Sequence, residues 1–330
     1  MLMMLAGTVA LGHGQSEVAS LTLNQVQGTL RSAAIDTVNG FGYFGTAGST
    51  AGSGVVVKIS LSTFSVVGVL ATPFRVVSTG LIDTANGFGY FSGYEGSVIK
   101  VSLSTFTNIG QLNIGCWSEA VVQDPTQGFS YYACKYGTVS KVQLSDFSFV
   151  GALTLTGYPK NGLGTATIDP AGGFAYFGTF FNSPTQVFQV RLLDFTLANT
   201  LNLKGGQFAS TSVIDNTSHF LYYGNSGSPG RVLRISIPDL KRVDALTLNK
   251  GQDNLEASVI DTARGLAFFG TDTSPGIVVK INLSTFTETG SVTLQPGENE
   301  LLFSHTIDAT SGFAYFGTFT SPGIIVKIAE

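Results

Sequence analysis

A short apolar run that ends in Asp recurs seven times along the chain, at intervals of 41 to 47 residues. A period of about 40 to 50 residues is typical of four-stranded propeller blades. Helical repeats of similar length would need a 3.6-residue apolar period, which these units lack. The pattern therefore predicts seven units of β-structure. The seven Asp residues are Asp36, Asp83, Asp124, Asp169, Asp215, Asp261 and Asp308.

Each unit is predicted to contain four strands, and the second carries most of the aromatic residues. Five, seven and eight positions after the Asp, 20 of 21 residues are Phe or Tyr, and only Leu266 differs. Neighbouring strand residues point to opposite faces, so these strands are apolar on both faces. Packed blades cover both faces of each sheet. We therefore expect these aromatic residues to form the core rather than a ligand-stacking platform.

The last unit ends after its third strand, IIVKIAE at 324–330. The segment EVASLTLN at 17–24 resembles fourth strands such as DALTLN at 244–249. Pairing the two chain ends would hide sheet edges that otherwise recruit other chains. The fold predicted is an all-β, seven-bladed β-propeller of four-stranded antiparallel blades, closed by the N-terminal strand. Residues 17–330 form this single domain, and residues 1–16 are an apolar lead-in or a signal-peptide remnant.

Third strands of the VVKI-x-LSTF type and apolar runs ending in Ile-Asp resemble those of the YVTN/NHL-like seven-bladed β-propellers. The resemblance covers about residues 17–330. It implies a family of cell-surface binding proteins and scaffolds, with a minority of enzymes. Such a fold does not by itself decide the activity.

Two sets of polar residues recur with the repeat, and each has a structural and a functional interpretation. Every repeated Asp precedes a tight turn, where its carboxylate can accept backbone N–H groups. Each third strand carries a cationic residue or, in unit four, Gln189. These side chains could form an anion-binding belt. Alternatively, each long side chain packs its aliphatic part along apolar neighbours and directs its polar group toward solvent or a carboxylate. We expect the structural role for both sets. The cations are Lys58, Lys100, Lys141, Arg234, Lys280 and Lys327.

The connections from each fourth strand to the next first strand vary most between units. They meet on one face, around the mouth of the central channel, and loops on a rigid scaffold often carry function. No catalytic residue is assigned. The candidate binding residues on this face are Arg31, Arg75, Trp117, Glu119, Lys160, Asp253, Glu256 and His305.

An acidic sector of this face could accept a hard cation such as calcium, although a solvated loop surface is the simpler interpretation. Its residues are Asp253, Glu256, Glu298 and Glu300. No other cofactor is predicted. Cys116 and Cys134 fall on the same face of one unit, so a disulfide, two free thiols and a metal pair all stay open.

Composition narrows the class of function. Charged residues make up 12% of the chain, against about 25% in ordinary soluble proteins. The net charge of −4 argues against a nucleic-acid partner, and no apolar run is long enough to span a bilayer. Low charge and two glycosylation sequons, at Asn216 and Asn282, suit an extracellular or cell-envelope protein.

The predicted function is a non-enzymatic binding or scaffolding propeller, secreted or surface-associated and monomeric, whose partner is a protein or a surface glycan. The alternative is a propeller enzyme, a lactonase-like hydrolase or a lyase. It would use a metal or a His–carboxylate set at the channel mouth, built from His305 with Glu119, Glu256 or Glu300.

Overall fold

A computed structural model describes residues 15–24, 28–155, 162–180, 185–203, 208–237 and 239–330. These residues contain 28 β-strands in seven antiparallel sheets of four strands each. No helix in this described part of the chain is long and apolar enough to cross a membrane.

Strand β1 (Ser16–Thr22) comes first in the chain and is followed by blade one. Blade one contains β2 (Thr29–Asp36), β3 (Phe41–Ala47), β4 (Val55–Ser60) and β5 (Ser65–Ala71). Blade two contains β6 (Val77–Asp83), β7 (Phe88–Gly93), β8 (Ser97–Ser102) and β9 (Thr107–Asn113). Blade three contains β10 (Ser118–Asp124), β11 (Phe129–Cys134), β12 (Thr138–Gln143) and β13 (Ser148–Thr154).

The remaining four blades repeat this order. Blade four contains β14 (Leu163–Asp169), β15 (Phe174–Thr179), β16 (Thr185–Arg191) and β17 (Thr196–Leu203). Blade five contains β18 (Phe208–Asp215), β19 (Phe220–Ser226), β20 (Arg231–Ser236) and β21 (Lys241–Thr247). Blade six contains β22 (Leu255–Asp261), β23 (Leu266–Thr271), β24 (Ile277–Asn282) and β25 (Thr287–Thr293). Blade seven contains β26 (His305–Asp308), β27 (Phe313–Gly317) and β28 (Ile324–Ala329).

The N-terminal strand completes blade seven. β1 pairs antiparallel with β28, with Ser16 opposite Ala329 and Thr22 opposite Ile324. The sheet order is β1-β28-β27-β26. The predicted ring closure and the seven-bladed architecture are therefore confirmed.

The first strand of every blade lies at one edge of its sheet and contacts the first strands of its neighbours. These strands therefore surround the central channel. Their Asp ends are at one opening of the channel, and their N-terminal ends are at the other opening, which we call the mouth.

The aromatic residues of the second strands form the core, as predicted. Tyr43 and Phe44 lie on opposite faces of β3, and their side chains are 1% and 0% exposed. Tyr43 packs in a cluster with Phe91 of blade two, whereas Phe44 packs in a cluster with Tyr315 of blade seven. Each sheet is thus covered on both faces by its neighbours.

Every repeated Asp is buried and accepts a backbone N–H from the turn that follows it. In blade one, Asp36 Oδ1 accepts the N–H of Asn39 at 3.1 Å, and Oδ2 accepts its side-chain amide at 2.7 Å. In blade three, Asp124 Oδ1 accepts the N–H groups of Thr126 and Gln127. These contacts fix the turn between strands one and two.

The third-strand cations place their heads over aromatic rings rather than in open solvent. Lys58 Nζ is 3.9 Å from the ring centroid of Phe41 and 5.5 Å from that of Phe106 in the next blade. Burial lowers the pKa of Lys58, while the nearby Asp36 raises it. The ring faces attract the cation, so this belt joins neighbouring blades.

Candidate functional site

A β-bulge near the start of the first strand defines the channel mouth. In six blades the pairing of strands one and two skips the residue five positions before the Asp. A bulge leaves one residue unpaired and redirects its side chain. Phe303 holds the corresponding position in blade seven, with a φ of +55°. The six bulge residues are Arg31, Ser78, Glu119, Gly164, Ser210 and Glu256.

Two cavities meet at this bulge ring. The channel holds a cavity of about 150 Å³, lined by every member of the ring except Arg31. Above it, a mouth cavity of about 540 Å³ is lined by Arg31 and by side chains of blades two to four and seven. Glu119, Gly164 and Phe303 line both. The mouth cavity has the volume of a typical small-molecule site, roughly 300–1,000 Å³.

A polar chain crosses the mouth cavity. Arg31 Nη2 donates a hydrogen bond to Tyr94 Oη at 2.6 Å. Tyr94 Oη in turn donates to Glu119 Oε2 at 3.2 Å. Burial, reinforced by the Glu119 carboxylate, raises the pKa of Tyr94 to about 12. Burial also raises the pKa of Glu119, against the opposing effects of Arg31, Tyr94 and Lys135.

Aromatic side chains form one wall of the mouth. Tyr94 stacks on Trp117 with ring centroids 5.5 Å apart and planes 14° apart. Trp117 also contacts Tyr136 at 6.1 Å, and Lys135 Nζ is 4.7 Å from the Trp117 ring. Trp117 and Tyr136 keep 38% and 50% of their surface exposed. Such aromatic surface, held rigid by stacking, is typical of binding sites.

A disulfide holds this wall in place. Cys116 and Cys134 are joined, with their Cα atoms 5.7 Å apart, so the structure selects the disulfide among the alternatives open from sequence. Trp117 directly follows one cysteine and Lys135 the other. The backbone N–H of Lys135 donates to the carbonyl oxygen of Trp117 at 2.8 Å. The cross-link therefore ties together the two segments that carry the wall.

Aromatic rings pack around the guanidinium of Arg31 on the other side of the mouth. Its guanidinium carbon lies 4.8 Å from the ring centroid of Phe303 and 5.1 Å from that of Phe319. Phe303 packs edge-on against Phe180 at 6.1 Å. The positive charge is thus surrounded mainly by apolar surface.

The channel below is polar, and it brings Glu256 and His305 into one cavity. Glu256 Oε1 accepts a hydrogen bond from Ser226 Oγ at 2.5 Å. Within the described residues, Glu256 Oε2 and His305 Nδ1 have no hydrogen-bond partner. Burial raises the pKa of Glu256 to about 7, with a smaller contribution from Asp272. Burial lowers the pKa of His305 to about 4, so its imidazole is neutral at pH 7.

The structure thus places Arg31, Glu119, Glu256 and His305 in the mouth or channel cavities. Trp117 lines neither cavity, but it stacks on Tyr94, which lines the mouth cavity. Arg75 is exposed and lines neither cavity, although its backbone N–H donates to Glu95 Oε1. Lys160 lies outside the described residues.

The acidic sector does not assemble. Asp253, Glu298 and Glu300 line neither cavity. Glu298 is buried, and its carboxylate accepts the backbone N–H of Gln295 at 2.9 Å, whereas Glu300 is exposed with a φ of +56°. Within the described ranges, no three His, Cys, Asp or Glu side chains form a group that could hold a metal ion.

Sequence reasoning missed half of the mouth. Tyr94, Lys135, Tyr136 and Phe180 follow second strands, a set of loops that the sequence did not flag. The signal was available, because in an antiparallel blade the second strand ends on the face where the first begins. Phe303 lies in a flagged connection but was not singled out among its residues.

No protein-family model matches this chain, and no curated protein matches its sequence. Among solved structures, it is similar to the β-propeller domain of Cps50 (Swd1) from Myceliophteria thermophila, with a TM-score of 0.76. The match covers 95% of this chain and 99% of that chain at 8% sequence identity. At this identity the likeness establishes the class of fold alone. The chain is a seven-bladed β-propeller.

Proposed function

We propose that this protein is a non-enzymatic binding β-propeller of the YVTN/NHL-like kind, which holds its partner at the channel mouth. The main support for this proposal is the wall of the mouth, where Trp117 and Tyr136 are partly exposed to solvent. They lie beside the hydrogen-bonded side chains of Arg31, Tyr94 and Glu119. Trp, Tyr and Arg are the residue types that dominate binding energy at interfaces. A wall fixed before binding loses little conformational entropy when the partner arrives.

The proposed partner is a protein or a surface glycan, and the proposed location is extracellular or in the cell envelope, with the propeller acting as a monomer. Two observations support this setting. Only 12% of the residues are charged, and the disulfide at the mouth joins two buried cysteines. Stable disulfides are typical of oxidising compartments. No calcium is included, because the described residues contain no group of three His, Cys, Asp or Glu side chains that could hold a metal ion.

The test compares an aromatic residue of the mouth with one elsewhere. The wild-type protein is screened against a glycan array and a panel of displayed surface proteins, and each partner is measured again with Trp117→Ala and Phe149→Ala. Phe149 is 44% exposed, on the outer strand β13. We expect Trp117→Ala to weaken binding by about tenfold or more and Phe149→Ala to leave it unchanged. Equal binding by all three proteins would contradict the proposal.

The enzymatic alternative, a lactonase-like hydrolase or a lyase, is favoured by one observation. Glu256 and His305 line the same channel, each with a polar atom lacking a partner within the described residues. A carboxyl with a pKa of about 7 suits general acid–base catalysis. A lactone-hydrolysis screen of wild type and Glu256→Gln tests this function, with a loss of about 100-fold or more in the variant expected if Glu256 acts as the base. Equal activity in both proteins would exclude that role.

A further inference from the structure

We infer that the mouth cavity binds a carboxylate that carries an apolar body, with Arg31 as the residue that receives the carboxylate group. This inference names the ligand chemistry of the site proposed above and rests on that proposal.

The described lining of the mouth cavity carries an unbalanced positive charge. Arg31 and Lys135 both line the mouth cavity, and neither forms an ion pair within the described residues. Glu119 is the one acidic residue among the described lining residues. The chain segments outside the described ranges contain no Asp or Glu, so they hold no carboxylate to balance these cations. With Glu119 ionised, the cavity keeps one net positive charge, and an anion would neutralise it.

Arg31 has hydrogen-bonding capacity that the described residues do not use. A guanidinium has five N–H donors, and among the described residues the structure shows one hydrogen bond from Arg31, to Tyr94. Its other contacts are with the faces of Phe303, Phe319 and Tyr94, which accept no ordinary hydrogen bond. The planar fork of Arg matches the two oxygens of a carboxylate, and an apolar setting strengthens such a pair.

The walls of the mouth cavity suit an apolar ligand body. Beyond Arg31, the cavity is bounded by Phe180, Phe303, Tyr136 and the buried Leu163. A hydrocarbon or aromatic body buried there would gain roughly 25 cal/mol per Å² of apolar surface.

The described lining of the channel below contains no Lys or Arg to attract the anion. His305 is neutral at pH 7 because burial lowers its pKa to about 4, and Glu256 would repel a second carboxylate whenever it is ionised. The carboxylate group is therefore directed to Arg31 at the mouth, with the apolar body against the aromatic walls.

The test uses the fluorescence of Trp117, the only Trp in the chain, whose ring stacks on Tyr94 of the cavity wall. The full chain is titrated at pH 7 with three probes of similar size: 3-phenylpropionate, 3-phenylpropanamide and 3-phenylpropylamine. We expect saturable binding of the acid, at least about tenfold weaker binding of the neutral amide, and no binding of the amine, because a charge-assisted hydrogen bond is lost or replaced by repulsion.

Two variants assign the effect to the guanidinium. Arg31→Gln is expected to weaken acid binding by about tenfold or more and to leave amide binding unchanged. Arg242→Gln, which removes an exposed Arg on the outer strand β21, is the control and should bind the acid as wild type does. Thermal unfolding of each variant verifies that it is folded.

Three results would overturn the inference: equal affinity for acid and amide, acid binding unaffected by Arg31→Gln, or no saturable signal up to about 10 mM acid. These results are distinct from failure of the proposed function. A partner that is lost in Trp117→Ala but bound normally by Arg31→Gln would overturn the carboxylate chemistry and leave the mouth as the binding site. Arg31-dependent acid binding, with no partner sensitive to Trp117→Ala, would overturn the macromolecular partner alone.

Discussion

The Asp turns and the bulge ring lie five residues apart on the same strands, but they differ in what is repeated from blade to blade. The turn position is Asp in all seven blades and serves the same hydrogen-bonding role each time. The bulge position has the same backbone irregularity in six blades but four residue types among them, namely Arg, Ser, Glu and Gly. A side chain that repeats in every blade therefore indicates a role in stabilising the fold. A position where the backbone geometry repeats but the side chain varies indicates the candidate site.

The largest expected effect comes from the disulfide, because it supports the mouth in blade three and the Asp face has no equivalent. The double variant Cys116→Ser/Cys134→Ser opens a loop of sequence separation 18. We expect it to lose about 3 kcal/mol of unfolding free energy and to weaken partner binding, since Trp117 and Lys135 lose their cross-link. Denaturant unfolding and binding are measured together. Unchanged binding in a folded variant would show that the wall is fixed by stacking alone.

The second prediction uses the buried carboxylate of the bulge ring, Glu256→Gln. In the unfolded chain a Glu loses its proton near pH 4.5, whereas in the fold Glu256 does so near 7. Wild-type stability therefore falls as the pH rises through this interval, and the Gln variant escapes that loss. We expect the variant to gain up to about 3 kcal/mol relative to wild type between pH 4 and pH 8.

Unfolding at both pH values measures this gain, and the titration of His305 cancels because both proteins contain it. Glu300→Gln, at an exposed carboxylate, is the control and should keep the pH profile of wild type. Parallel pH profiles for wild type and Glu256→Gln would refute the raised pKa of the buried carboxyl.

The third prediction concerns the repeated position itself. Asp83 Oδ1 and Oδ2 accept two hydrogen bonds from Asn86, so Asp83→Ala should cost about 2 kcal/mol of unfolding free energy. Because the turn is at the end of the channel opposite the mouth, partner binding should stay unchanged. Asp83→Asn keeps an acceptor oxygen and should cost less. A loss of partner binding in folded Asp83→Ala would contradict the view that the turn residues stabilise the fold without contributing to the binding site.

The smallest effect sharpens the role of the third-strand cations. Lys100 Nζ is 3.9 Å from the ring centroid of Phe88, whereas Lys280 is 5.9 Å from Phe268, because Leu266 replaces the usual Phe. Lys100→Gln should cost roughly 0.5–1 kcal/mol, and Lys280→Gln less. Thermal unfolding of the two variants compares them directly. Equal costs would mean that the ring contact contributes nothing measurable.

The sequence predicted the fold well because a repeat presents the same physical problem seven times. The Asp spacing located the blades, the aromatic residues on both faces required packed neighbours, and the segment at 17–24 matched the missing strand. Half of the site was also within reach, since Arg31, Trp117 and Glu119 lie in connections that reach the mouth. The pairing of Cys116 with Cys134 needed three-dimensional positions.

The other half depends on features that periodicity does not report. The bulge leaves the Asp spacing intact, so nothing in the repeat length reveals that Glu119 and Glu256 are turned into the cavities. Tyr94 was hidden by its ordinary place in a loop after strand two, and its importance comes from contacts with Arg31 and Trp117 on other blades or strands. Glu298 and Glu300 lie in the same connection as Phe303, but unlike Phe303 they do not line the cavities.

The central claim, that the mouth is the binding site, is tested most directly by the accessibility of Trp117. Because Trp117 is the only Trp and 38% of its surface is exposed, acrylamide quenching of its fluorescence reports on the mouth alone. We expect a saturating concentration of the partner to lower the quenching constant in wild type and in the Phe149→Ala control, because the bound partner shields Trp117. A quenching constant unchanged by a bound partner would place the binding surface elsewhere on the propeller.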